Sequence, residues 1–171
     1  ACGANENQLL FTRKNIHYAE CLRCGLIFQD PPPSQEVSKK FYEKDYYNTL
    51  KELTPSIQQA RTHLYQQILS EWVSYRQTNR LLDIGSGHGD FMKIAQEGGW
   101  DVWGIEPSRE ASLAAQKIFG EQVLNKTVEA VDFPKNYFDI ITLWNVIDCL
   151  PDPKSVMEKA YEWLRPGGLL I

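Results

Sequence analysis

From Arg80 to the end of the chain, short apolar runs alternate with helix-like segments, and this alternation leaves few folds open. Arg80–Ile84 reads as a buried strand and Asp90–Glu97 as a helix stopped by Gly98-Gly99. Asp101–Ile105 reads as a second strand, and Ser108–Phe119 as a helix ending at Gly120. Val123 opens a short third strand, Phe138–Trp144 is a strongly apolar fourth, and Lys154–Leu164 is a further helix. Pro166-Gly167-Gly168 then turns into Leu169, Leu170 and Ile171, the opening of a fifth strand. Strands alternating with helices build a parallel sheet covered on both faces through right-handed crossovers. The expected fold class is α/β, a doubly wound and mostly parallel sheet.

Two regions of different character precede it. Residues 34–79 read as helical: Ser34 before Glu36-Val37 is a helix start, and Phe41, Tyr42, Tyr46 and Tyr47 form an aromatic-rich stretch. Ile57, Ala60, Arg61, Leu64, Ile68, Leu69 and Trp72 then recur at helical spacing behind Pro55, which suits a first helical turn. Residues 1–33 end in Pro31-Pro32-Pro33 and hold three of the four cysteines. In a chain that opens without a secretory signal, such clustering favours metal binding over disulfides, and a cytoplasmic location is expected. Cys21 and Cys24 form C-x-x-C followed by Gly25, the turn that aims two thiolates at one zinc. Cys2-Gly3 resembles the second half of another such knuckle. Cys2, Cys21 and Cys24 are thus candidate zinc ligands, with a fourth from a Cys ahead of Ala1 or from His17; a set of unliganded thiols is the alternative. The chain does not begin with Met, so residues upstream of Ala1 are expected.

The stretch "LLDIGSGHGDF" places glycines at 85, 87 and 89 between the first strand and the first helix. In doubly wound sheets ligands bind at the carboxyl ends of the strands, beside that loop. The dinucleotide pattern would require glycine where Asp90 stands, and the triphosphate loop would require Gly-Lys-Ser/Thr, which does not occur. Glu106 closes the second strand about 20 residues on, where an acid meets the hydroxyls of a bound ribose. A net charge of -4 and a pI near 5.4 argue against grip on a phosphate backbone, so nucleic acid is not the expected partner. No apolar run approaches the roughly 20 residues of a membrane helix.

In order, "LLDIGSGHGDF", "VWGIEPS", "FDIITLWNVIDCLPDP" and "LRPGGLLI" resemble the motifs of class I S-adenosylmethionine-dependent methyltransferases, a family with a Rossmann-like fold. The resemblance implies S-adenosylmethionine as cofactor and methyl transfer as activity. It implies that Gly85, Gly87 and Gly89, with Ser86 between them, let the backbone pass the methionine part and the ribose. Asp83 matches the acid that organises this loop and the ammonium group, and Glu106, followed by Pro107, would hold the ribose hydroxyls. Val128 and Glu129 fall where the family contacts the adenine edge; Trp144 and Asn145 would line the methionine side. Many relatives carry an acid-His pair where Asp148-Cys149 stands, so a His-dependent mechanism is not expected there, and Cys149 reads as a buried small apolar residue. His63 and His17 read as surface residues, and His88, inside the glycine loop, is a weak candidate for a base.

"CGLIFQDPPP" and "FYEKDYY" resemble the linker and following helix of a subgroup carrying a zinc ribbon ahead of this fold. That resemblance makes Tyr42, Tyr46 and Tyr47 candidate lid residues. It divides the chain into a partial zinc-ribbon-like segment at 1–33, a helical lid or linker at 34–79, and a cofactor-binding core at 80–171. The family's sheet has seven strands, so the last strands are expected beyond Ile171, together with much of the acceptor pocket. The expected acceptor is a small molecule such as a sugar, lipid, quinone or other metabolite. An RNA methyltransferase and a non-catalytic S-adenosylmethionine-binding protein are the alternatives.

Overall fold

The computed structural model describes residues 2–34, 37 and 54–171. The chain divides into two compact units, Ala1–Lys40 and Phe41–Ile171. The aromatic stretch with Tyr42, Tyr46 and Tyr47 lies outside the described residues.

The first unit is a three-stranded antiparallel sheet: β1 (Asn7–Arg13), β2 (Ile16–Cys21) and β3 (Ile27–Gln29), with β2 in the centre. Lys14 and Asn15 adopt positive φ and form the two-residue hairpin turn between β1 and β2, the conformation that matches the strands' twist. Cys21 N donates to Leu26 O, and Gly25 N to Cys21 O, each at 2.9 Å, closing the turn that carries Cys24. Past the sheet, Val37 N donates to Ser34 Oγ at 3.3 Å, the bond an N-cap serine makes.

The second unit opens with α1 (Pro55–Glu71) and a 3-10 turn at Trp72–Tyr75. Then follow β4 (Arg80–Ile84), α2 (Asp90–Glu97), β5 (Asp101–Ile105), α3 (Arg109–Phe119), β6 (Val123–Leu124), β7 (Phe138–Thr142), α4 (Pro153–Trp163) and β8 (Leu164–Leu170). The sheet order is β6-β5-β4-β7-β8, and every pairing is parallel. This is the Rossmann-like doubly wound topology, and its strand order reverses between β4 and β7. Residues alternate across the sheet. Leu81, Val102 and Ile140 face α1, α2 and α3, while Leu82, Ile105 and Ile141 face α4.

Three expectations are corrected. Leu69 and Trp72 of the expected α1 stripe enter the core and Ile68 packs against it, but Tyr65 joins them while Ile57 and Leu64 are exposed. Tyr65 enters because its ring meets Phe91 and Trp144, and Trp72 meets Phe91 beside it. The fourth strand stops at Thr142 instead of Trp144, because Asn145 takes a left-handed φ of 54° and turns the chain. The fifth begins at Leu164, directly after α4, and Arg165–Gly168 bulge within it: Phe138 pairs with Leu164, but Ile140 pairs with Leu169.

The bulge has a visible cause. Asp139 is fully buried opposite it, and Arg165 Nε donates to Asp139 Oδ1 at 2.5 Å. Asp139 Oδ2 also accepts from the backbone N–H groups of Gln77, Thr78 and Asn79 at 2.8, 2.9 and 2.8 Å. Arg165 Nη2 donates to Tyr75 O. One carboxylate thus ties the segment entering β4 to β7 and β8. Burial pushes the Asp139 carboxyl up, but the Arg165 guanidinium and the three N–H groups outweigh it and hold it below its ordinary value.

Candidate functional site

The candidate site lies where β4, β5 and β7 end side by side at the switch point of the sheet. Glu106, just past β5, is buried at 3% exposure. Its Oε2 accepts from Gly87 N at 2.8 Å and its Oε1 from Ser108 N at 2.8 Å. The acid therefore braces the glycine loop and the start of α3 with one carboxylate. A carboxylate has about four lone-pair sites, so an acid in this position can serve both backbone and ligand hydroxyls. Asn125 Nδ2, past β6, donates to Glu106 O at 2.9 Å and Pro107 O at 3.1 Å, and holds that turn from the other side.

The glycine loop is fixed by close approach. Gly85 has φ +74°, and a Cβ there would lie 2.4 Å from Val146 Cγ2, in the segment after β7. Gly89 has φ +85°, and its Cβ would lie 2.6 Å from the Phe119 ring. The loops after β4 and β7 thus meet at the point where strand order reverses. Ser86, between the glycines, is 7% exposed, and its Oγ has no hydrogen-bond partner among the described residues. The indole N–H of Trp144 is likewise buried and unpartnered. Ser86 Oγ lies close against Gly104 of β5, and the two orphaned donors flank the loops that follow β4 and β7.

Asp83 lies beneath the loop, fully enclosed, and accepts from Thr142 Oγ1 at 2.7 Å across the β4–β7 pair. Burial pushes its carboxyl up to about 7; the Thr142 hydroxyl opposes that rise and the negative charge of Glu106 adds to it.

Other expected residues take their places as follows. Val128 is buried and Glu129 exposed in the 3-10 turn Val128–Ala130 after β6. Trp144 packs in an aromatic cluster with Tyr65, Trp72 and Phe91, centroids 5.5 to 6.4 Å apart. Asn145 is exposed at the turn that follows. Cys149 is half-buried instead of buried, on the 3-10 turn Ile147–Cys149, where its thiol reaches Asn145 O at 3.8 Å and Asp148 Oδ1 at 3.6 Å. His88 is half-buried and His63 exposed. Sequence reasoning missed Thr142 and Asn125. Each is a polar residue at the carboxyl end of a strand, and that position is the signal that could have found them. A shallow hollow of about 270 Å³ lined by Leu69, Arg76, Glu97 and Trp100 lies at the opposite end of the sheet, where β5 begins.

In the first unit Cys2, Cys21 and Cys24 bring their sulfur atoms within 4.8 Å of one another, with Cys2 and Cys21 at 3.6 Å. A tetrahedral zinc with bonds of about 2.3 Å sets sulfur–sulfur separations near 3.8 Å, so the donor set fits that ion. The N–H groups of Cys24 and Arg23 lower the Cys21 thiol to about 7, toward the thiolate a metal requires. Cys2 moves the other way: Ala4's N–H favours its thiolate, but hydrogen bonding to Cys24 and Cys21 outweighs that. His17 stands apart from the cluster, with Nδ1 against Thr12 Oγ1 at 2.8 Å.

Fold and loop geometry define a doubly wound α/β domain whose glycine loop and buried strand-end acid are braced together at the switch point of the sheet. The chain belongs to the methyltransferase domain family, whose signature matches residues 57–171. It is 29% identical over 121 residues to protein arginine N-methyltransferase 6 of Xenopus tropicalis, covering 66% of this chain and 36% of that one. It is 32% identical over 98 residues to the ubiquinone biosynthesis O-methyltransferase of Rhodopseudomonas palustris, covering 54% of this chain and 38% of that one. The chain therefore spans well under half the length of these relatives. Its fold is shared with the plantazolicin methyltransferase BpumL, solved in complex with SAH, at a TM-score of 0.59 and 17% identity over 75% of this chain and 52% of that one. No helix among the described residues is long and apolar enough to cross a membrane.

Proposed function

We propose that this protein is an S-adenosylmethionine-dependent methyltransferase acting on a small-molecule acceptor. The observation that carries the reading is Glu106, a buried carboxylate that already braces Gly87 and Ser108 at the carboxyl end of β5. S-Adenosylmethionine supplies a methyl group already activated on a sulfonium, which leaves as the new bond to the acceptor forms. The chain's own work is to hold and align. Glu106 accepts from the ribose hydroxyls, with Pro107 shaping its turn. Gly85, Ser86, Gly87 and Gly89 line the methionine part, and Asp83 beneath them answers its ammonium group. Val128 and Glu129 meet the adenine edge, and Trp144 and Asn145 bound the methionine side.

The ubiquinone relatives and the acidic composition support a small-molecule acceptor; the arginine methyltransferase relative marks the alternative that a protein is methylated. We further propose zinc at Cys2, Cys21 and Cys24, completed by a fourth ligand, in a segment at 1–33, a lid or linker at 34–79 and the cofactor core at 80–171. Calorimetry with S-adenosylhomocysteine tests the cofactor. Glu106→Ala should weaken binding by about 1–3 kcal/mol, the effect of losing hydrogen bonds to a charged partner. Tight binding of NAD with none of S-adenosylmethionine would overturn the assignment. Methyl-labelled cofactor offered with quinones, sugars, peptides and RNA tests the acceptor class, and labelling of peptide or RNA alone would refute the small-molecule reading.

A further inference from the structure

One side chain on α4 bonds the backbone of the turn after β6. Lys159 Nζ donates to Glu129 O at 2.9 Å and to Val131 O at 2.8 Å. Its third contact is Asp132 Oδ1 at 3.1 Å. An ammonium has three donors, and here each has an acceptor. The Lys159 side chain is 26% exposed while that of Asp132 is 90% exposed, so the carbonyl bonds carry more of the hold than the ion pair.

Apart from the buried side chains of Val128 and Val131, the turn has only short-range backbone bonds among the described residues. Within Val128–Ala130 the backbone supplies Ala130 N to Thr127 O at 3.1 Å and Val131 N to Val128 O at 3.3 Å. A single 3-10 turn has poor hydrogen-bond geometry and does not hold its form alone. Val128 and Val131 anchor the ends of the turn by packing in the core, and the Lys159 ammonium gathers the Glu129 and Val131 carbonyls.

We propose that Lys159 is a positioning residue for adenine recognition: through the carbonyls of Glu129 and Val131 it fixes the turn that meets the adenine edge. The inference rests on reading the chain as an S-adenosylmethionine binder with Val128 and Glu129 at the base. A turn already ordered before binding loses less conformational freedom when the base arrives. Without the ammonium the two carbonyls turn to water, and the base edge is no longer met in one geometry.

The test uses two ligands that differ only at the base, S-adenosylhomocysteine and S-inosylhomocysteine, titrated calorimetrically into the wild type, Lys159→Met and Asp132→Asn. The wild type should prefer the adenine ligand. Lys159→Met keeps the stem and removes the donors; it should weaken S-adenosylhomocysteine about tenfold and the inosine ligand by less than about twofold, so the preference shrinks. Asp132→Asn should leave both within about twofold. If thermal melts show Lys159→Met unfolded at the assay temperature, Lys159→Gln is titrated in its place. Equal weakening of both ligands marks a merely structural role and overturns the proposal, as does an unchanged preference or a wild type that does not discriminate. A wild type that binds neither ligand defeats the cofactor reading itself.

Discussion

The two units of this chain are stabilised by different means. Among the described residues of the first, only Ala19 and Cys21 are buried apolar positions; Leu9, Leu10, Phe11, Leu22 and Ile27 stand exposed. The second buries both faces of a five-stranded sheet, with Leu81, Leu82, Ile140 and Ile141 wholly enclosed. A domain of the first unit's size cannot bury enough surface to stand on packing alone, and small units of this kind lean on metals or disulfides. The zinc proposed at Cys2, Cys21 and Cys24 would supply in the first unit what the apolar sheet supplies in the second.

The strongest test of that contrast is removal of the proposed zinc. Chelation, or Cys21→Ser, is expected to abolish amide protection across β1–β3 while the second unit keeps its unfolding midpoint. Structural zinc contributes about 10–16 kcal/mol of apparent binding energy to small domains. Full protection in a preparation shown by elemental analysis to be metal-free would show that the first unit stands by itself.

Next in size is the buried pair of the second unit. Asp139→Asn leaves Arg165 enclosed without its anion and should cost about 3–5 kcal/mol, read from denaturant midpoints, with β1–β3 protection unaltered. Because the Asp139 carboxyl is held below its ordinary value of 3.8, its stabilisation is present above that value and is lost as pH falls through the lower folded one. Asp139→Asn should therefore also flatten the acid limb of the stability profile.

Asp83 gives the opposite slope in the same unit. Its folded value of about 7 stands above the ordinary 3.8, so its favourable contribution is full below pH 3.8 and is lost as pH rises through about 7. Asp83→Asn should stabilise the ligand-free protein at pH 8 by about 2–4 kcal/mol relative to wild type and change little at pH 4. Equal midpoints at pH 8 would refute the assignment. The same substitution should weaken cofactor binding, separating stability from function within one site.

The smallest expected effect sharpens the loop geometry. Gly85→Ala should destabilise the second unit by about 1–3 kcal/mol, from a left-handed φ and from the contact with Val146. In a Val146→Ala background the contact part should vanish and only the φ part remain, about 1–2 kcal/mol. Identical losses in both backgrounds would show that Val146 gives way without cost.

Much of this was legible in the sequence. Alternating apolar runs and helices dictate a parallel sheet, because backbone periodicity and burial on both faces leave no other arrangement. The bounds of Asp90–Glu97 and Asp101–Ile105 followed from local punctuation by glycine and charge. The spacing of Cys2, Cys21 and Cys24 identified a group that the fold brings within 4.8 Å. Tertiary structure alone decided that Tyr65 of α1 enters the core while Ile57 and Leu64 stay exposed, since the choice depends on Phe91 and Trp144 across the interface. It alone revealed that Asp139 and Arg165 divide the last strand with a bulge, and that Gly85 is small because Val146 needs the space. Periodicity and turn chemistry act between residues a few positions apart, so a sequence carries them openly. Contacts between residues distant along the chain have no local signature, and only the folded geometry says which of them form.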